Sequence, residues 1–91
     1  MEALTRSLAL ELGPIRVNCI RPGFVETDLW NFLSKEDVAD VRQKVRTHFP
    51  ARRTGRPADI GHAAVFLMTN PYVTGSILEV SGGEQLVDWQ F

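Results

Sequence analysis

The residues best placed to do chemistry stand in one run, Ile15 to Asp28, which reads IRVNCIRPGFVETD. Ile15, Val17, Cys19 and Ile20 are the types that fill a buried strand, whereas Pro22 gives no ladder hydrogen bond and Gly23 relaxes the backbone limits. A strand over Ile15 to about Arg21 must therefore end at Pro22-Gly23 and release a polar loop. In open α/β sheets the ligand crevice lies at the carboxyl ends of the strands, so this loop is where a site is expected. Thr27 carries its hydroxyl there, and on residue type alone Thr27 reads as the N-cap of a short helix. Arg42, Lys44, Arg46, Arg52, Arg53 and Arg56 make the middle of the chain locally basic. A solvated helix face is the commoner meaning of such a patch, a phosphate contact the rarer one. The lone cysteine, Cys19, excludes an intramolecular disulfide and leaves no metal-ligand spacing.

The elements that must position this loop follow from periodicity and stop signals. Met1 to Leu12 is rich in strong helix formers, with apolar residues on more than one face, so it wants burial on two sides. Gly13 suits a left-handed residue past the helix end, and Pro14 prevents continuation. No capping residue precedes Ala3. Thr27 or Asp28 opens a short helix over Leu29 to Leu33. Ser34, with Asp37 three residues on, caps a further helix in which Val38, Val41 and Val45 form the apolar stripe. Arg42, Lys44 and Arg46 lie toward its end, where cations favour the helix dipole. Phe49 to Pro57 reads as a connection. Pro57 and Asp59 start a helix whose stripe is Ile60, Ala63, Ala64 and Leu67, and Asn70-Pro71 ends it. Ser76 to Val80 is then a second strand, stopping at Gly82-Gly83. Helix, strand, helices, strand is half of a doubly wound parallel sheet, with a right-handed crossover expected between the strands and the first strand central.

At 91 residues the chain has room for one domain and buries only about 60 to 65 % of its unfolded surface. A hydrophobic content of 44 % with 23 % charged residues is ordinary for a globular protein, and a net charge of −1 gives no overall field for nucleic acid or anionic lipid. No apolar run approaches the length of a membrane span and no secretory leader pattern opens the chain, so the cytoplasm is the default expectation. Two strands alone expose both edges and cannot cover the helix faces, so the fold reads as incomplete on its own.

Taken in order, the helix EALTRSLALEL, the strand IRVNCIRPG, the loop FVETD, the helix start RTGRPADI and the close VTGSILEVSGG resemble the C-terminal third of the short-chain dehydrogenase/reductase family, over essentially the whole chain. The resemblance implies the C-terminal part of a Rossmann-like α/β domain, two strands and about four helices, spanning 1–91. It further implies an NAD or NADP cofactor with its nicotinamide end against the loop. Pro22 and Gly23 would shape the floor, the Val25 backbone would meet the carboxamide, and Thr27 would bond the carboxamide or pyrophosphate. Glycine lets a backbone come close, and a hydroxyl beside main-chain amides can hold a polar amide in one orientation. Residues 28–52 are similar in place to the family's substrate lid, in which Leu29, Trp30, Phe32 and Leu33 would line an apolar pocket or pack the lid onto the body. Arg56 and Asp59 resemble the pair that starts the family's last long helix. Ser81 departs from the family's usual aspartate, which affects a local turn hydrogen bond. His48 and His62 match no catalytic position and read as surface or capping residues.

What these residues lack bounds the expectation. They contain no GxxxGxG run after a strand, no Asn-Asn-Ala-Gly segment and no Tyr-x-x-x-Lys pair; aligned on EALTRSLALEL, the family lysine would stand three residues before Met1. The acid/base machinery for hydride transfer would then lie outside them, and no NAD(P) binding by this chain alone is expected. The implied function is a segment of an NAD(P)-dependent oxidoreductase acting on a small alcohol or carbonyl, in a homo-oligomer built through the first helix and the last helix and strand. The competing expectations are a non-catalytic module docked on a full-length homologous subunit, and an independent small ligand-binding domain.

Overall fold

The structure, a computed structural model, describes residues 1–87, the side chains of Asp28 and Leu29 excepted; residues 88–91 of the predicted 1–91 segment lie outside the described residues. Three α-helices and two short parallel strands are present: α1 (Glu2–Leu12), β1 (Cys19–Pro22), α2 (Lys35–His48), α3 (Pro57–Thr69) and β2 (Ile77–Val80), with 3-10 turns at Asp28–Phe32 and Glu84–Leu86. This is the partial α/β arrangement expected, with the fourth helix reduced to a 3-10 turn. β1 and β2 pair in parallel, Cys19 opposite Ile77 through Pro22 opposite Val80.

The first strand is shorter than the residue types suggested. Ile15 is 65 % exposed and the stretch 15–18 is an extended lead-in rather than strand. Its polar groups explain why it is nevertheless held: the Thr74 hydroxyl accepts from Val17 N (3.1 Å), and Gly75 N donates to Val17 O (2.8 Å). Arg16 reaches across to the end of α3 and donates to the carbonyls of Leu67 (2.5 Å) and Met68 (2.9 Å). Those carbonyls have no partner within the helix, so the guanidinium serves as a C-terminal cap supplied by a distant residue.

Pro22 occupies the last strand position rather than the first residue beyond it. The donors facing β2 come from alternate residues, with Cys19 N bonded to Ser76 O and Gly23 N to Val80 O, both at 2.9 Å. Pro22 therefore falls where its missing N–H would point away from β2, the placement a sheet tolerates. The expected central position is not observed: among the described residues β1 has β2 on one side and no strand on the other.

Gly13 also differs from expectation, at φ −51° and ψ 136° instead of left-handed. Pro14 follows it, and the residue before a proline is driven to the extended region, which here overrides the glycine preference. The two-sided burial expected of α1 is absent within the described residues. Only Thr5 is buried, while Leu4, Leu10 and Leu12 are 57 %, 87 % and 43 % exposed.

The core is small, with contributions from α2, the residue that follows it, and α3. Val45, Phe49, Ala63 and Leu67 form it, so the predicted stripes of α2 and α3 do turn inward. Phe49, read from sequence as part of a mere connection, is one of the two largest fully buried side chains. Ser34 caps α2 as expected, its hydroxyl accepting from Asp37 N at 3.1 Å.

Candidate functional site

Because β1 and β2 run parallel, Pro22 and Val80 end on the same rim, and the loop 23–27 leaves from it. Gly23 is required by closeness. A Cβ built on it would lie 2.6 Å from Ser81 Cβ and 2.7 Å from Ser81 Cα, distances that only a glycine avoids without moving backbone. The next residue is tied to the same turn, with Phe24 N donating to Glu84 Oε2 at 3.0 Å. Val25 then forms an isolated parallel bridge with Gly55, made by Gly55 N to Phe24 O (2.8 Å) and Glu26 N to Gly55 O (2.9 Å). In that pattern the N–H and C=O of Val25 itself take no part, so one donor and one acceptor of adjacent main chain face away from Gly55.

Glu26 fixes the loop from the other side. Arg42, on α2, places Nε at 3.0 Å and Nη2 at 2.6 Å from Glu26 Oε1, and the Thr54 hydroxyl donates to Oε2. The Arg42 hydrogen bonds above all hold the Glu26 carboxyl below the usual carboxylate range, against the opposing effect of burial. Thr27 is exposed, and its carbonyl accepts from Trp30 N (3.0 Å) in the 3-10 turn that follows. Thr27, Trp30, Asn31 and Val38 line a hollow of about 540 Å³ that Glu26 and Arg42 close from one side.

The structure thus places Pro22 at the end of β1 and Gly23, Val25 and Thr27 on the loop that leaves it. The lid residues separate. Trp30 is half-buried and packs edge-to-face on Phe24, ring centroids 5.4 Å apart at 84°, which is the packing reading for that side chain. Phe32 is 88 % and Leu33 44 % exposed, and neither lines the hollow beside Trp30. The side chain of Leu29 lies outside the described residues. His48 and His62 are both exposed, His48 Nδ1 lying 2.8 Å from Lys44 O within its own helix.

The sequence reading passed over Glu26, Thr54 and Glu84, which position the loop, and read Arg42 only as part of a basic helix face, not as the partner of Glu26. Opposite charge at 26 and 42 was the available signal, but only packing of α2 on the loop makes it a pair. Arg56 and Asp59 start α3 together, as the sequence suggested, and Arg53 joins them. Asp59 accepts from the backbone N of Arg56 (2.8 Å), yet its ion pair is with Arg53, Nη1 to Oδ2 at 2.9 Å and Nη2 to Oδ1 at 3.0 Å. Arg53 first, and the Arg56 amide second, hold the Asp59 carboxyl down to about 2. Among the described residues no group of His, Cys, Asp and Glu could hold a metal, and no helix is long and apolar enough to cross a membrane.

Comparison with known proteins agrees with this geometry. The family model described as enoyl-(acyl carrier protein) reductase matches residues 1–85. The chain is 44 % identical over 89 residues to carbonyl reductase family member 4 of Danio rerio, covering 96 % of this chain and 35 % of the relative. It is 40 % identical over 85 residues to the 3-oxoacyl-[acyl-carrier-protein] reductase of Homo sapiens, covering 91 % and 33 %. Among solved structures, a small-chain dehydrogenase in complex with NADPH superposes with a TM-score of 0.84 at 39 % identity, covering 93 % of this chain and 39 % of that one. The chain spans about a third of the length of the curated relatives it matches. A family model covering nearly all of the chain, an ordered set of motifs and a shared fold together establish that this chain belongs to the short-chain dehydrogenase/reductase family.

Proposed function

We propose that this chain furnishes the nicotinamide-side wall of an NAD(P)-dependent oxidoreductase acting on a small alcohol or carbonyl compound. The observation that carries this reading is the main chain of Val25, whose N–H and C=O stand outside the bridge to Gly55. A carboxamide offers one acceptor and two donors, so it is complementary to such a pair, and the exposed Thr27 hydroxyl two residues on adds a second polar anchor. Gly23 lets the loop leave the rim without a side chain in the way. The residues therefore fit the amide end of the cofactor, and none of them forms a pyrophosphate cradle.

Bound NAD(P)H supplies the hydride; this chain holds and orients the ring and shields one side of it from water. Residues 28–52 act as the lid, with Trp30 as its apolar contact. The acid/base pair comes from the segment that the family places before α1. The decisive observation is the reading frame upstream of Met1, where a Tyr-x-x-x-Lys pair should end three residues before it; a frame without that pair removes the proposal.

A second reading is favoured by α1, where Leu4 and Leu10 are 57 % and 87 % exposed. In this reading the chain is a non-catalytic module whose first helix docks on a full-length homologous subunit. Co-purification with such a relative supports it, and a well-folded monomer in sedimentation argues against it. In the complete protein the same helix would serve a homo-oligomer.

A further inference from the structure

Beside the nicotinamide-side loop, and sharing Glu26 with it, lies a polar hollow of about 420 Å³, lined by Glu26, Thr54 and the four arginines Arg42, Arg46, Arg53 and Arg56. Its charges do not cancel. Arg42 is paired with Glu26, and Arg53 with Asp59. Arg46 and Arg56 have no carboxylate partner among the described residues; Arg46 makes only a long hydrogen bond of 3.5 Å to Gln43 Oε1. Two guanidinium charges are therefore left over in one concave space, supplied by the end of α2 and the start of α3. The paired members are already oriented by bidentate or doubled hydrogen bonds, so the wall is partly preorganised.

We infer that this hollow is an anion site that takes a phosphate group, free or carried on a small organic ligand. Guanidinium groups match phosphate in bidentate geometry, and a cluster of them in a cleft concentrates anions beyond what a net charge of −1 on the chain would allow. The ionised Glu26 carboxylate is offset by its Arg42 partner and the Thr54 hydroxyl, so Arg46 and Arg56 set the sign of the charge in the hollow. The inference does not rest on the hydride-transfer reading, since the two guanidinium groups that carry it, Arg46 and Arg56, are given no cofactor contact there.

The test is titration of the full chain with inorganic phosphate and, separately, with a short-chain alkyl phosphomonoester, followed by phosphorus NMR and by the arginine Nε–H signals. Saturable binding that moves the Arg46 and Arg56 signals and weakens with added salt is expected. Equal affinities identify a free-phosphate site, and tighter binding of the ester a ligand with an organic arm. The double variant Arg46→Gln/Arg56→Gln should bind about tenfold or more weakly, while Arg6→Gln, on the exposed face of α1, should not change it. Absence of saturation, shifts confined to other arginines, or equal weakening by Arg6→Gln overturns the site. Should the double variant fail to fold, the arginine signals of the unaltered chain decide the matter.

Discussion

Glu26 and Arg42 stand 16 residues apart in sequence and are joined through Nε and Nη2 of the arginine, both on Glu26 Oε1, at 3.0 and 2.6 Å. Through this pair the helix α2 is fastened to the residue between Val25 and Thr27. Any motion of α2 is thereby coupled to the loop 23–27.

Breaking the pair should loosen α2 more than it unfolds the chain. The two side chains are 49 % and 25 % exposed, so solvent screening leaves Arg42→Ala with only a small effect on overall stability. Glu26→Ala should cost more, about 1–2 kcal/mol, because Thr54 is buried and loses its acceptor. Amide exchange along Lys35–His48 reads the loosening directly, and equal protection in both variants and the parent would contradict the coupling.

Gly23→Ala should displace the turn at the strand rim. The new methyl would meet Ser81 Cβ at 2.6 Å and Ser81 Cα at 2.7 Å, and the second of these is backbone. A loss of about 1–3 kcal/mol is expected, of which Ser81→Gly recovers only a part, since the backbone of residue 81 still stands in the way. Urea midpoints of the two single variants and the double variant test this.

Phe49→Ala removes one of the two largest fully buried side chains among the described residues. The usual cost of about 3–5 kcal/mol is a large fraction of the stability of any small domain. Loss of a cooperative thermal transition is the expected result, whereas Phe66→Ala, at a site 47 % exposed, should change the midpoint little.

The Arg53–Asp59 pair predicts a pH dependence with a definite sign. The folded carboxyl lies at about 2 and the unfolded one near its ordinary value of about 4. Its contribution is therefore complete above that ordinary value and is lost as pH falls from about 4 to about 2. Stability measured across this window should drop less steeply in Asp59→Asn than in the parent.

Thr27→Val keeps shape and deletes the hydroxyl. In the protein that carries the catalytic segment, it should raise KM for NAD(P)H several-fold, with the urea midpoint measured alongside to separate cofactor binding from folding. An unchanged KM would remove Thr27 from the proposed contacts.

The sequence alone determined the order of elements, the inward faces of α2 and α3, the Ser34 cap and the end of the first strand at Pro22-Gly23. These depend on local pattern: helical spacing, a capping hydroxyl, a residue with no N–H. It also carried the family motifs, which are ordered along the chain. Tertiary structure alone decided that Ile15 is exposed, that Phe49 is core, that Asp59 pairs with Arg53, and that Glu26 ties Arg42 to Thr54. Each of those depends on which distant segment packs where. Periodicity says that a side chain faces inward or outward on its own element, but a partner 16 or 28 residues away is chosen by how the elements pack together.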